Sequence, residues 1–259
     1  MLKNDRPKYE QFYRNYGRQL RYGAVANYGQ NVESLRDLLI YNVDENTTRT
    51  LQEYTDAMPA GQEKIYYAVG DSIQRSLRLP QAELVRSRGY ELLCMTEEVD
   101  EYIVQQLGKH ADKPFCNIVT DDLGLETDEE KADIEKREEE SREVLDFVKE
   151  TLGERVAVVR LSHKLVSAPV CLTTEGSVTL EMERYFRKMP DTGLEPPKAR
   201  RVLELNADSQ AFKALEEAVK SDREHAAKLV EILHSQALLI AGEELPDPAA
   251  YAEQVCSLF

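Results

Sequence analysis

Residues 64–107 read KIYYAVGDSIQRSLRLPQAELVRSRGYELLCMTEEVDEYIVQQL, in which two apolar runs alternate with two segments of helical pattern. The first run, Lys64 to Val69, is short, β-branched and aromatic, and it stops at Gly70 as a buried strand would. Pro80 interrupts the apolar spacing of residues 72–87, which predicts two short helices there instead of one. Strands that alternate with helical crossovers favour a small parallel sheet covered on both faces. The stretch therefore predicts an α/β/α fold.

Two more strands continue this pattern, at Tyr90 to Met95 and at Phe115 to Val119. Between them, Thr96-Glu97-Glu98 offers a side-chain cap and an acidic first turn for a helix. The sequence contains no G-x-G-x-x-G turn and no G-x-x-x-x-G-K-[S/T] loop. We therefore interpret Gly70-Asp71-Ser72 as a helix-capping turn in preference to a phosphate site.

Several short segments resemble, in order and spacing, signatures of the heat-shock protein 90 chaperones. Those that are similar to the end of that family's middle domain are Gly61-Gln62-Glu63-Lys64-Ile65-Tyr66-Tyr67, Arg88-Gly89-Tyr90-Glu91-Leu92-Leu93, Asp100-Glu101-Tyr102 and Gln105-Gln106-Leu107. Residues 153–156, 160–165 with Pro169, 203–206 and 236–239 resemble the C-terminal domain of bacterial members. The resemblance extends from about Tyr9 to the last residue.

The resemblance implies a fragment of a longer chaperone with two domains. Residues 1–126 would be the C-terminal part of the middle domain, a small parallel-sheet α/β/α unit. Residues 127–259 would be a mixed α+β domain that ends in a helical dimerisation hairpin. The family's ATP-binding domain has no counterpart here, so ATP and Mg²⁺ are expected in the missing N-terminal domain of the parent, with no cofactor and no catalysis in this chain. The resemblance also implies a cytoplasmic homodimer that binds unfolded client proteins.

Composition agrees with two domains, because 259 residues can bury two moderate cores. A formal net charge of −15 argues against a nucleic-acid partner. No apolar stretch approaches the roughly twenty residues of a membrane span, and no signal-peptide pattern opens the sequence. Isolated cysteines without C-x-x-C spacing suit buried thiols in a reducing cytosol, so no disulfide and no metal are predicted at Cys94, Cys116, Cys171 and Cys256.

The second half begins with an acidic segment, residues 121–150, which holds fourteen acidic and five basic side chains. We expect a domain junction there, with a solvated helix over 128–141 running into a packed helix from Val144. Strands are then predicted at 156–161, 169–173 and 201–205, with Asn206 as the cap of the next helix. Three helices are predicted at about 208–220, 222–241 and 248–258.

A stripe of apolar side chains on the helical segment 178–189 is the main candidate for a binding surface. Its members, at helical spacing with a charged opposite face, are Val178, Met182, Tyr185, Phe186 and Met189. Such a stripe is more often core than surface, but the resemblance favours an exposed client-binding helix; flexible connections on both sides could let it stand away from the core. The resemblance implies a second, less certain client patch at Glu101, Tyr102 and Gln105; Tyr102 could equally be a packing residue.

The last helices carry more apolar surface than one small domain needs, which suggests a second copy as partner. Two helix hairpins related by a two-fold axis would form a four-helix bundle, and the resemblance implies this arrangement. The candidate interface residues are Leu229, Leu233, Leu238, Ile240, Tyr251, Val255 and Leu258.

Two alternatives remain. A small-ligand α/β enzyme would use Asp71, Ser72 and His163 as its polar residues, although His163 lacks a recognisable nucleophile or metal-ligand spacing around it. A purely structural dimerisation module would keep the terminal bundle but have no client surface.

Overall fold

A computed structural model describes residues 1–97, 99–188 and 197–258, without the side chains of Tyr185 and Lys188. The chain forms two compact units. The first comprises Met1–Arg78 and Val85–Asp122, and the second comprises Leu79–Leu84 and the residues from Leu123 onward.

The first unit is built on a six-stranded sheet with the order β2-β1-β4-β3-β6-β5. The strands are β1 Ile40–Asn42, β2 Thr48–Thr50, β3 Ile65–Val69, β4 Leu93–Met95, β5 Lys109–His110 and β6 Lys113–Asn117. Central β3 runs parallel to both neighbours, since Tyr67 pairs with Leu93 on β4 and with Asn117 on β6. β1 and β5 pair antiparallel with β4 and β6. The α/β class is confirmed, and the predicted parallel strands form the centre of a mixed sheet.

The helices in this part of the chain are α1 Arg6–Gly29, α2 Val32–Leu35, α3 Leu51–Ala57, α4 Ile73–Arg78, α5 Pro80–Ser87 and α6 Asp100–Leu107. The predicted break at Pro80 is confirmed, because proline occupies the first position of α5, where its missing N–H costs no helical bond. The predicted cap at Thr96 is wrong. The Asp100 carboxylate accepts a hydrogen bond from the Glu97 backbone N–H at 3.1 Å, which closes a turn, and α6 begins only at Asp100.

The second unit combines a three-stranded sheet with helices. In chain order the elements are α7 Asp128–Glu140, α8 Arg142–Leu152, β7 Val158–Leu161, β8 Val170–Glu175, α9 Leu180–Lys188, β9 Arg200–Leu205, α10 Gln210–Ser221, α11 Arg223–Ala241 and α12 Pro248–Cys256. Central β9 pairs parallel with β7 and antiparallel with β8. The core is formed by apolar side chains of the sheet, α8, α10 and α11, among them Leu172, Leu203, Phe212, Leu215 and Leu233.

The predicted change from a solvated to a packed helix is confirmed at Ser141, between α7 and α8. All residues of α7 are described and none is buried, whereas α8 buries Val144, Leu145, Val148 and Leu152. Thr127 and Glu130 form a capping box that starts α7, which explains how so polar a helix begins at a defined residue.

The cap of α10 is Ser209 and not Asn206, so that prediction is wrong. Ser209 Oγ accepts from the Phe212 N–H at 3.1 Å. Asn206 Nδ2 instead donates to the carbonyls of Val166 and Ala168, at 3.1 and 3.0 Å, and holds the loop before β8.

The three predicted C-terminal helices are confirmed as α10, α11 and α12. Asp222 accepts from the N–H groups of Glu224 and His225 at the start of α11, and Asp247 accepts from Ala250 at the start of α12. Gly242 ends α11 in a left-handed conformation, φ 73°, that a residue with a Cβ rarely adopts.

The thiols of Cys94, Cys116 and Cys171 are buried, that of Cys256 is exposed, and none of these four described cysteines forms a disulfide. Within the described residues, no group of three or more His, Cys, Asp or Glu is placed to hold a metal ion. The described helices include none with the length and apolarity to cross a membrane.

Candidate functional site

Helix α9 is attached to its unit through its charged face. Glu183 is only 2% exposed, and its carboxylate accepts from the Ala199 N–H at 2.8 Å. The Arg201 guanidinium on β9 lies 3.1 Å from the same carboxylate. Leu180, one turn earlier, belongs to the apolar core. Helix α9 therefore contacts its own unit through Glu183 and Leu180, and it does not stand away from the core as the flexible connections had suggested.

Helix α9 also carries apolar side chains that remain partly exposed. At 100° per residue, Glu183, Phe186 and Met182 lie about 300°, 240° and 200° around the helix from Leu180, so Phe186 borders the buried face and Met182 lies farther from it. Both are half-buried. Val178, before the helix, packs against the core cluster. The side chain of Tyr185 and the whole of Met189 lie outside the described residues. Met182 and Phe186 are thus the predicted stripe residues that the structure leaves partly accessible.

Glu183 is ionised despite its burial. Burial opposes ionisation, but bonds from the Ala199 N–H and from the guanidinium groups of Arg201 and Arg187 hold the pKa of Glu183 below its ordinary value. A carboxylate stabilised in this way fixes one orientation of α9. In this orientation Met182 and Phe186 remain half-buried.

The second predicted patch, on α6, is only partly accessible. Glu101 is buried, and Asn117 Nδ2 donates to its carboxylate at 3.4 Å, so its assignment to a client surface is corrected. The reason is helical spacing, since Glu101 shares its face with buried Val104 and lies one residue after buried Asp100. Tyr102 is half-buried and Gln105 is exposed.

Sequence analysis missed the ion pair that fixes the start of α6. Arg21 Nε on α1 lies 2.7 Å from Asp100 Oδ1, and both side chains are nearly excluded from solvent. The guanidinium also lies over the rings of Tyr13 and Tyr41, at 5.1 and 5.4 Å from their centroids. Burial raises the pKa of Asp100 to about 6, against the opposing effect of Arg21. The local sequence signal was the acidic first turn of α6, which includes Asp100 but does not indicate that Arg21 is its partner.

Helix α12 leaves its apolar side chains only partly covered. The structure describes all nine of its residues, and none is buried. Tyr251 and Val255 are half-buried, and Leu258, just after the helix, is 44% exposed. Leu239 on α11 is 49% exposed. Together these residues make an apolar surface on one hairpin, which a second molecule could cover.

Two of the predicted interface residues belong to the core instead. Leu233 and Leu238 are 5% and 7% exposed and lie in the core cluster of the unit, so their side chains are not available to a second protomer. Helix α11 packs on β8, α8 and α10. Because a core and an interface use the same apolar residue types, the sequence alone does not distinguish the two faces of α11. Leu229 is partly buried against that core, and Ile240 is half-buried. Leu239, which was not among the predicted interface residues, is more exposed than Leu233 and Leu238.

A family model described as Hsp90 protein matches residues 1–259. The chain belongs to the Hsp90 family. Similar proteins include three named chaperone protein HtpG, from Bacillus subtilis (strain 168), Halalkalibacterium halodurans and Alkaliphilus metalliredigens, which are 39%, 41% and 42% identical over 259 residues. Each match covers the whole chain and 41% of the relative, so this Hsp90-family chain spans about two fifths of the length of these relatives.

The small-ligand enzyme has no support in this Hsp90-family chain. Asp71 is exposed and pairs with Arg75 at 3.0 Å, while Ser72 Oγ accepts from the Arg75 N–H at 3.3 Å. These are helix-capping contacts of α4, as interpreted from the sequence. His163 lies half-buried in the loop after β7, in the other unit.

Proposed function

We propose that this chain is the region of a bacterial-type Hsp90 chaperone that joins two protomers and presents apolar side chains to partly unfolded client proteins. The observation that carries the proposal is that Glu183 and Arg201 attach α9 to its unit while Met182 and Phe186 on the same helix stay partly exposed. The relatives that the chain matches are named as chaperones. We further propose that the parent protein acts in the cytoplasm, and that ATP hydrolysis with Mg²⁺ takes place in a part of it outside this chain.

Met182 and Phe186 suit contacts with many different clients. A thioether side chain repacks easily and an aromatic ring contributes a large apolar area, so neither requires one partner sequence. Fully burying such a side chain contributes about 1.5–3 kcal/mol, which an unfolded chain could supply by covering it. Gln105 and Tyr102 on α6 would form the second, more polar client surface.

Dimerisation would use the hairpin of α11 and α12. Its partly exposed apolar side chains are Leu239, Tyr251, Val255 and Leu258, and two copies related by a two-fold axis would bury them in a four-helix bundle. Joining two protomers at this end would hold the remaining domains of the parent at high effective concentration.

The test is suppression of the aggregation of a heat-denatured protein, followed by light scattering. The double variant Met182→Ser with Phe186→Ser should lose most of the suppression, and Val166→Ser, in an exposed loop of the same unit, should keep it. A purely structural dimerisation module predicts that both variants behave like the wild type. Equal suppression by all three proteins would reject the client-binding assignment.

A further inference from the structure

One arginine bridges two carboxylates from different parts of the second unit. Arg201 on β9 lies 3.1 Å from Glu183 Oε2 on α9, and its Nη2 lies 3.2 Å from Glu243 Oε2, directly after the end of α11. Glu243 follows Gly242, the residue that ends α11, and its N–H donates to the Leu238 carbonyl at 2.9 Å. The same cation thus contacts α9 and the connection that leads from α11 to α12.

A second arginine makes the same connection from the α9 side. Arg184 Nη2 donates to the Ala241 carbonyl at 3.4 Å, and its Nε lies 3.5 Å from Glu243 Oε1. Two cations and two carboxylates therefore alternate across one small region. The side chains of Glu183 and Glu243 are 3% and 9% exposed, so water screens these charges little.

The arrangement makes the two segments depend on each other. Removing one member of a mostly buried ion network leaves its partners with fewer opposite charges, which is costlier than losing an exposed pair. Without Arg201, the carboxylates of Glu183 and Glu243 would lose their shared counter-ion at once. A displacement of Glu243 would likewise withdraw a partner from both Arg184 and Arg201, and so loosen α9.

We propose that Arg201 is a positioning residue that couples the orientation of α9 to the connection between α11 and α12. The inference rests on the proposed function in one respect, namely that α9 binds clients and α12 binds a second protomer. Docking of a second protomer on α12 then changes how α9 presents Met182 and Phe186. Because coupling between two binding sites is reciprocal, a bound client changes the affinity of the dimer by the same factor.

The coupling is tested by substituting a residue in the connection between α11 and α12 and measuring hydrogen exchange in α9. Glu243→Gln should raise the hydrogen-exchange rates of amides in residues 180–188 by about tenfold, the factor expected for losing one charge-assisted contact. The matched control is Glu244→Gln, an exposed neighbour that should leave these rates unchanged. Unchanged rates in α9 of the Glu243→Gln variant would overturn the proposal.

A second pair of variants changes the shared cation. Arg201→Gln should raise exchange both in residues 180–188 and in residues 242–247. Arg200→Gln, which removes only the exposed cross-strand pair with Glu175, should raise neither. An increase confined to one of the two segments would overturn the shared role of Arg201. Circular dichroism of each variant establishes that the comparison is made on folded protein.

The last measurement separates this inference from the proposed function. The dimer dissociation constant is measured by sedimentation with and without a reduced, alkylated, permanently unfolded protein. The wild type should show a shift, and Arg201→Gln should show none. No shift in the wild type, or the same shift in the variant, would overturn the coupling while leaving client capture by Met182 and Phe186 intact. The proposed function would be rejected by a different result, namely unchanged suppression of aggregation by the Met182→Ser, Phe186→Ser variant.

Discussion

The Arg21 guanidinium lies 2.7 Å from the Asp100 carboxylate in a site that excludes solvent almost completely, yet Asp100 holds its proton more tightly than an exposed carboxyl group would. Burial raises the pKa of Asp100 to about 6, which outweighs the attraction of Arg21. The pair therefore orients α6, but at neutral pH it stabilises the unit less than a separation of 2.7 Å would suggest, because burying both charges is costly.

Asp100→Asn should change how stability depends on pH. Since the folded protein binds the Asp100 proton more tightly than the unfolded chain, the contribution of Asp100 to the free energy of unfolding falls as pH rises from about 4 to about 6. The wild type should lose stability relative to Asp100→Asn across this window, and the difference should be constant above it. Urea denaturation at several pH values, followed by circular dichroism, measures this difference. A difference that grows in favour of the wild type with rising pH would show that the ion pair outweighs the cost of burial.

Glu204→Gln should destabilise the second unit strongly. The Glu204 carboxylate is 2% exposed and accepts from Arg160 at 2.5 Å and from Ser162 Oγ at 2.8 Å. The substitution removes the charge that buried Lys164 and partly exposed Arg160 face, at a cost of about 3 kcal/mol in the free energy of unfolding. Glu217→Gln, an exposed position on α10, is the matched control and should cost little. Equal unfolding midpoints for both variants would contradict this role.

The same carboxylate should make the second unit sensitive to acid. Burial opposes ionisation of Glu204, but Lys164, Arg160 and Ser162 hold its pKa below the ordinary value. A lowered pKa contributes stability that is complete above the ordinary carboxyl pKa and is lost as pH falls through the lowered one. The Glu204→Gln variant should therefore lack this part of the acid dependence in a series of unfolding curves. An unchanged acid dependence would contradict the assignment.

Leu239→Ser combined with Tyr251→Ser should weaken the dimer. Leu239 is exposed and Tyr251 is half-buried outside the core cluster, so truncating them removes area from the proposed interface without opening the core. Removing two apolar anchors should raise the dissociation constant by about tenfold or more. Light scattering over a range of concentrations measures the molar mass. The control is Val166→Ser, an equally exposed apolar residue in the loop before β8. A molar mass unaffected by the double variant would contradict this interface.

Local signals in the sequence predicted much of the fold. Pro80, Asp222, Gly242 and Asp247 mark helix boundaries through backbone chemistry that acts within a few residues, and the structure confirms each boundary. Asn206 was misassigned because Ser209, three residues later, offers the same capping chemistry, and only the loop before β8 decides which is used.

The candidate surfaces were harder to predict because an apolar stripe does not reveal what covers it. Leu233 and Leu239 look alike in sequence, yet one lies in the core and the other is half exposed. Glu183 is a charged residue of α9 whose partner, Arg201, lies 18 residues away in the sequence. Pairings of this kind depend on how elements pack, which the spacing within one helix cannot show.

Binding of unfolded clients to α9 is tested by hydrogen exchange of the wild type with and without a reduced, alkylated, permanently unfolded protein. We expect slower exchange in residues 180–188 when the unfolded protein is present, and no change in residues 128–140 of the solvated helix α7. Unchanged exchange in α9, or equal protection of α7, would contradict the claim.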